Sequence, residues 1–272
     1  MTTGSREVRA DSIAFATAKV MQGSRAVPIE TPVEIVYGTI PYAVMMVTPE
    51  DIEDFVYGFS FTEGVIASKR DIRNVKVEAH PKGMRALVGL VPERLSSHLS
   101  RQRAMTGRTG CGVCGIEDIN ALPSASERVA QGPSIEIKAI HRAVDELGAH
   151  QPLNDLTRAV HAAAWCDPSG SVLMAREDVG RHNALDKLIG SALRQSIDPQ
   201  SGFILITSRC SYEMVEKAAT FGASTLVAVS APTSLAIERA EALGITLYAI
   251  ARADGATHFT GHMPDLILEK CA

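Results

Sequence analysis

Two cysteines, Cys111 and Cys114, stand in the run Gly107-Arg108-Thr109-Gly110-Cys111-Gly112-Val113-Cys114-Gly115. The thiolate is the nucleophilic and metal-binding form of cysteine, and Arg108 with the neighbouring backbone amides would favour it electrostatically. Such a pair has three common uses. A structural zinc site asks for two further Cys or His ligands at recognisable spacing, and no second Cys-x-x-Cys pair is present. A thioredoxin-like redox pair opens a helix after a buried strand, whereas this one lies between glycines in an aperiodic stretch. A nucleophile that must meet two partners in turn suits a loop of this kind. The spacing alone leaves zinc binding, redox exchange and sulfur transfer open.

A second concentration of polar chemistry recurs at the junctions between expected strands and helices. The first reads Arg176 to Asn183 and includes Arg181 and His182; the second reads Thr207, Ser208, Arg209, Cys210, Ser211; the third reads Ser230 to Ser234; the last strand ends in Ala251, Arg252, Ala253, Asp254, Gly255. In an open parallel sheet, ligands sit beyond the C-terminal ends of the strands, where helix N-termini present unpaired N–H groups. For one junction alone, a helix cap and an exposed arginine are the ordinary reading. Four together, with Arg181, Arg209 and Arg252 among them, favour a cradle for a phosphorylated or nucleotide-like ligand. Other candidates weigh less. Cys166, after Trp165, reads as core, and Cys271 as an inert terminal residue. Cys210 is placed either for a lowered pKa at a helix N-terminus or for packing. His161 and His182 allow catalysis or a plain hydrogen bond, and Glu63 a turn cap.

These residues need elements to position them. Residues 1–27 mix small and charged types without period and read as a mobile tail. Residues 28–100 read as a small α+β domain. Val33, Ile35 and Tyr37 alternate, Gly38 and Thr39 turn the chain, and Tyr42 to Val47 returns as a hairpin. Thr48, Pro49, Glu50 and Asp51 then read as a helix start with Thr48 as the hydroxyl cap. Ile52, Phe55, Val56 and Phe59 follow at helical spacing, and short strands are expected near Val75–Glu78 and Ala86–Val91. Residues 101–134 read as a mobile loop carrying the two cysteines. Residues 135–272 alternate helices with uninterrupted apolar strands, which predicts an α/β fold: a three-layer α/β/α sandwich around a largely parallel sheet, with a hairpin at one edge.

The chain has 272 residues, 46% of them hydrophobic, enough for two buried cores. A net charge of −4 gives no global field for nucleic acid or acidic lipid, so an anionic ligand needs a local basic cluster. No apolar run approaches the roughly 18 residues that cross a bilayer, and Met1 to Glu30 has no leader-like apolar core. A soluble, cytoplasmic protein is expected, with no membrane and no nucleic acid as partner. Five cysteines, an odd number, make no disulfide framework, and no permanently bound metal is expected.

The run GRTGCGVCG, followed in order by EDVGRHNALDKLIG from Glu177, SRCSYEMVEKAA from Ser208 and SAPTSLA from Ser230, with GFSFTEGV from Gly58, resembles the FdhD family of formate dehydrogenase accessory sulfurtransferases. The resemblance runs from about Thr31 to Thr260. It implies that Cys111 carries a persulfide received from a cysteine desulfurase, with Cys114 as helper. It implies delivery of that sulfur to the molybdenum or tungsten of a bis(molybdopterin guanine dinucleotide) cofactor, held as a bound substrate, on the way to the formate dehydrogenase catalytic subunit. The family's cofactor-binding segment falls on Ile250, Ala251, Arg252, Ala253, Asp254 and Gly255, beside Arg181, His182, Ser208 and Arg209. The resemblance also implies a homodimer and a cytidine-deaminase-like fold for the second domain. That kinship raises zinc-dependent deamination as a rival, but Ala184 stands where the proton-shuttling glutamate is needed, and Glu213 where the second cysteine is. A further rival is a cofactor-binding chaperone that moves no sulfur.

Overall fold

The computed structural model describes residues 4–96 and 127–264; Cys111, Cys114 and Cys271 lie outside the described residues, as does most of the loop expected over 101–134. The chain opens with β1 (Ser5–Ala14) and β2 (Lys19–Pro28), an antiparallel ribbon paired from Ser5↔Pro28 to Ala14↔Lys19. This corrects the aperiodic tail read over residues 1–27. Most of the ribbon is exposed on both faces, so its order comes from the backbone ladder and leaves no apolar alternation for the sequence to show. Its tip exposes Ile13, Phe15, Val20 and Met21.

β3 (Thr31–Tyr37) and β4 (Ile40–Val47) form the expected hairpin, turning at Gly38 with φ 64°. With β5 (Ile72–His80) and β6 (Gly83–Leu90) they make a four-stranded sheet in the order β4-β3-β6-β5. Helix α1 (Ile52–Thr62) lays Ile52, Phe55, Val56 and Phe59 on it, beside Val33, Ile35, Tyr37, Val47, Ala86 and Val88. The helix start differs from the expectation. Asp51 precedes the helix in the left-handed region, and Thr48 does not cap it; the Thr48 hydroxyl accepts the N–H of Val179 at 3.1 Å instead.

The remaining elements are α2 (Ile137–Leu147), α3 (Pro152–Thr157), β7 (His161–Cys166), β8 (Val172–Asp178), α4 (Arg181–Gln195), β9 (Phe203–Ile206), α5 (Tyr212–Phe221), β10 (Thr225–Ala228), α6 (Ser234–Leu243), β11 (Thr246–Arg252) and β12 (Gly255–Thr260). Six strands form one sheet in the order β12-β11-β10-β9-β7-β8. Only β9, β10 and β11 pair in parallel; β7 is antiparallel to both its neighbours, and β12 to β11. The sheet is therefore mixed, because a hairpin enters at each edge where a largely parallel one was expected. Helices α4, α5 and α6 pack on one face against Trp165, Ile204, Leu226 and Leu247. Helix α2 covers the other with Phe203, Leu205, Val227 and Tyr248. Among the described residues no helix is long and apolar enough to cross a membrane.

The two sheets are joined through α1 and α4, whose backbones meet at glycines. A Cβ on Gly58 would lie 1.8 Å from the Asp186 carbonyl oxygen, and one on Gly190 would lie 1.8 Å from that of Asp54. Neither carbonyl is at the end of a flexible side chain, so the helices would have to separate. Gly190→Ala is expected to lower stability by about 3 kcal/mol, the upper range for an overpacked core, read as a drop in the urea midpoint. An unchanged midpoint would show that the contact is looser than these distances.

Candidate functional site

The polar run from Glu177 to Asp186 divides into residues that fasten the fold and residues that face outward. Asp178 and Lys187 are fully buried and paired at 2.8 Å. The Asp178 carboxylate also accepts the N–H groups of Thr48 at 2.9 Å and Gly180 at 2.8 Å, and the Asn183 amide at 2.9 Å. Lys187 donates its remaining protons to the carbonyls of Thr48 at 3.0 Å and Glu177 at 3.2 Å. Glu177 accepts the N–H groups of Leu153 and Asn154, both at 2.8 Å, which satisfies donors at the start of α3. Lys217 binds both oxygens of Asp186 at 2.9 Å and the Thr62 hydroxyl at 2.8 Å, with Glu63 at 3.8 Å. Glu63 thus faces a lysine on α5.

What remains gathers at the end of the sheet where β9, β10 and β11 finish. Arg181 and His182 open α4, and Ser208 and Arg209 follow β9. His161 begins β7 opposite Asp178. Burial holds the His161 imidazole below its ordinary pKa, and the positive charges of Arg181, His182 and Arg209 push it further down. His161 therefore stays neutral near pH 7 beside a positive cluster. Opposite it, Glu213 is held down at about 2 by His182 and by the Ser211 hydroxyl, which donates to it at 2.8 Å. The His182 Nε2 lies 3.5 Å from Glu213, at the long limit for a hydrogen bond.

Arg85, Arg94, Arg142, Arg158, Arg176, Arg194 and Arg239 are each paired with a carboxylate. Among the described residues, Arg181, Arg209 and Arg252 have neither an ion pair nor a side-chain hydrogen bond, and the Nε of Arg181 is buried without a partner.

Residues Ile250 to Gly255 lie two strands from Arg209, roughly 10 Å across the sheet. Arg252, Ala253, Asp254 and Gly255 are exposed at the turn into β12, while Ala251 is buried in the core. Ile250 has φ 54°, left-handed for a β-branched residue, where the pairing with β12 slips. Its N–H is kept by the Ser230 carbonyl at 3.2 Å, and its side chain is turned outward, 38% exposed. A sequence that reads as ordinary strand carried no sign of this.

The two cysteines among the described residues are packed. Cys210 is buried, its thiol pushed up to about 12 by desolvation, and its backbone bridges to Pro232, tying the second junction to the third. Burial likewise pushes up the Cys166 thiol. Among the described residues no group of three or more His, Cys, Asp or Glu side chains could hold a metal ion.

The profile of the FdhD/NarQ family matches residues 28–264, which span both sheets and the segment with Cys111. The chain belongs to that family. Sulfur carrier protein FdhD of Xanthomonas euvesicatoria pv. vesicatoria is 45% identical over 91% of this chain and 90% of its own length. The protein of the same name from Bordetella bronchiseptica is 43% identical over 85% of this chain and 84% of its own. A crystal structure from Desulfotalea psychrophila, provisionally named a formate dehydrogenase accessory protein, superposes with a TM-score of 0.73 at 25% identity. That superposition covers 95% of this chain and 97% of the other. The mixed α/β architecture with separate sheets is thus that of a solved FdhD-type structure.

Proposed function

We propose that this FdhD/NarQ protein is a sulfur carrier that takes sulfur from a cysteine desulfurase onto Cys111 and passes it to the bis(molybdopterin guanine dinucleotide) cofactor of a formate dehydrogenase. The observation that carries the reading is the similarity, over nearly the whole chain, to proteins named as sulfur carriers. The unpaired Arg181, Arg209 and Arg252 support it, since a dinucleotide brings the anionic phosphates that such groups would receive. His182 adds a donor beside them, next to Ser208, whose hydroxyl donates to the Arg209 carbonyl at 3.1 Å, and the outward Ile250 offers an apolar surface at the turn. In this reading residues 250–255 hold the nucleotide end of the cofactor. The helices on both faces of the six-stranded sheet are compatible with a cytidine-deaminase-like arrangement adapted to binding, and a homodimer would present the cradle twice.

The transfer balances in two steps. The Cys111 thiolate attacks the terminal sulfur of the desulfurase persulfide, the S–S bond there breaks, and the desulfurase leaves as a thiolate. The Cys114 thiolate then attacks Cys111 Sγ, hydrosulfide leaves toward the metal of the cofactor, and a Cys111–Cys114 disulfide forms. The two thiols supply the two electrons, and a cellular dithiol restores them.

Mass spectrometry of the protein after incubation with desulfurase and cysteine is the test. The peptide holding Cys111 is expected to gain one sulfur atom, removable by a reductant. A sulfur found only on other peptides, or on none, defeats the proposal.

A further inference from the structure

At the end of the six-stranded sheet opposite the candidate site lies a cavity of about 570 Å³, framed by the starts of β10 and β11, the end of β12 and the strap from Arg128 to Ile135. The strap is fixed at both ends. The Val129 N–H bonds the Leu243 carbonyl at 2.8 Å, and Ile135 is buried in the core beneath α2.

Two of the groups around this space are polar and unsatisfied. Ser224 and Tyr248 line it and are 5% and 1% exposed, and their hydroxyl oxygens are buried with no hydrogen-bond partner among the described residues. Gly132 passes directly over Ser224: a Cβ there would meet the Ser224 hydroxyl at 2.1 Å and the Gln200 Oε1, which also lacks a partner, at 2.9 Å. At the rim, the Arg128 guanidinium rests 3.3 Å from the Cβ position of Gly244, over the C-terminal end of α6. That end carries negative dipole charge, which seats the guanidinium without consuming its outward donors. His262 lies on the same rim, as does Glu241, yet Arg128 and Glu241 form no ion pair.

Buried hydroxyls without partners are costly and are kept where a water or a ligand completes them. The volume falls within the range of small-molecule sites. We propose that this cavity binds a small phosphorylated polyhydroxy compound. Arg128 and His262 receive the phosphate at the rim. Glu241 accepts from hydroxyl groups of the body, and Ser224 and Tyr248 complete their bonds to it from below. The cavity lies at the opposite end of the sheet from Arg181, His182 and Arg209, and the proposal stands whether or not the proposed function does.

The test is calorimetric titration of the full-length protein with ribose 5-phosphate, ribose and inorganic phosphate. Ribose 5-phosphate is expected to bind saturably, and each of the other two at least roughly tenfold more weakly. Arg128→Ala, at an exposed position, should weaken ribose 5-phosphate by more than about tenfold. Tyr248→Phe, which keeps the ring, should weaken it by roughly three- to tenfold. Both variants should keep the parent urea midpoint to within the error of the measurement or raise it. No saturable binding at millimolar concentration, equal affinity for inorganic phosphate, or affinity unchanged in Arg128→Ala would each overturn the proposal, leaving water as the occupant.

Discussion

Formate dehydrogenase made in cells whose only copy of this protein carries Cys111→Ala is expected to lose activity by a factor of at least about 100, while the variant accumulates to the parent level. The reasoning is chemical. Among the described residues no other thiolate stands ready to replace Cys111, since Cys166 and Cys210 are buried and their thiols are pushed up out of the range that ionises at neutral pH. Cys166→Ala in the same assay should therefore retain most activity. Cys114→Ala should lie between, roughly tenfold down, because external thiols can release hydrosulfide from a persulfide more slowly than an adjacent cysteine does. Formate-dependent dye reduction in extracts is the measurement. Full activity with Cys111→Ala would point instead to a chaperone that holds the cofactor and moves no sulfur.

The second large effect concerns stability. Lys187→Met is expected to cost about 3–5 kcal/mol, because it leaves the Asp178 carboxylate buried without its counter-charge. Asp178→Asn should cost a similar amount, because Lys187 then loses its partner in the same dry site. The double variant should recover part of the loss, a coupling that a cycle of urea midpoints measures directly. Strict additivity of the two single losses would mean that the pair contributes only packing. Thr48 shares this network through its N–H and carbonyl, so the first sheet should loosen along with the second.

These two residues also show where reading the sequence stopped. Asp178 and Lys187 sit in the same short run as Arg181 and His182, and residue type alone does not say which of them point inward. Tertiary geometry decides it: β8 ends against Thr48, from a part of the chain 130 residues earlier. The local signals were legible. Glycine follows the last helical residue of α5 and of α6 in the sequence, and Gly222 and Gly244 take φ 95° and 74° there, the ordinary left-handed cap. The Asp167 turn was likewise readable from its residues, its carboxylate accepting the N–H groups of Ser169 at 2.8 Å and Ser171 at 3.0 Å. The β1–β2 ribbon was not, since a strand with no buried face leaves no alternation. β12 was missed because the binding segment is read only over Ile250 to Gly255, and no element is assigned to the residues after it. The backbone of Ile250 had no signal at all, as isoleucine ordinarily favours extended strand.

The glycine contact between α1 and α4 has a kinetic meaning. Two helices whose backbones touch at both Gly58 and Gly190 cannot slide or open without losing that fit, so the two sheets behave as one rigid block. Whatever binds at the end of the second sheet therefore spends no ordering entropy on bringing the two halves together.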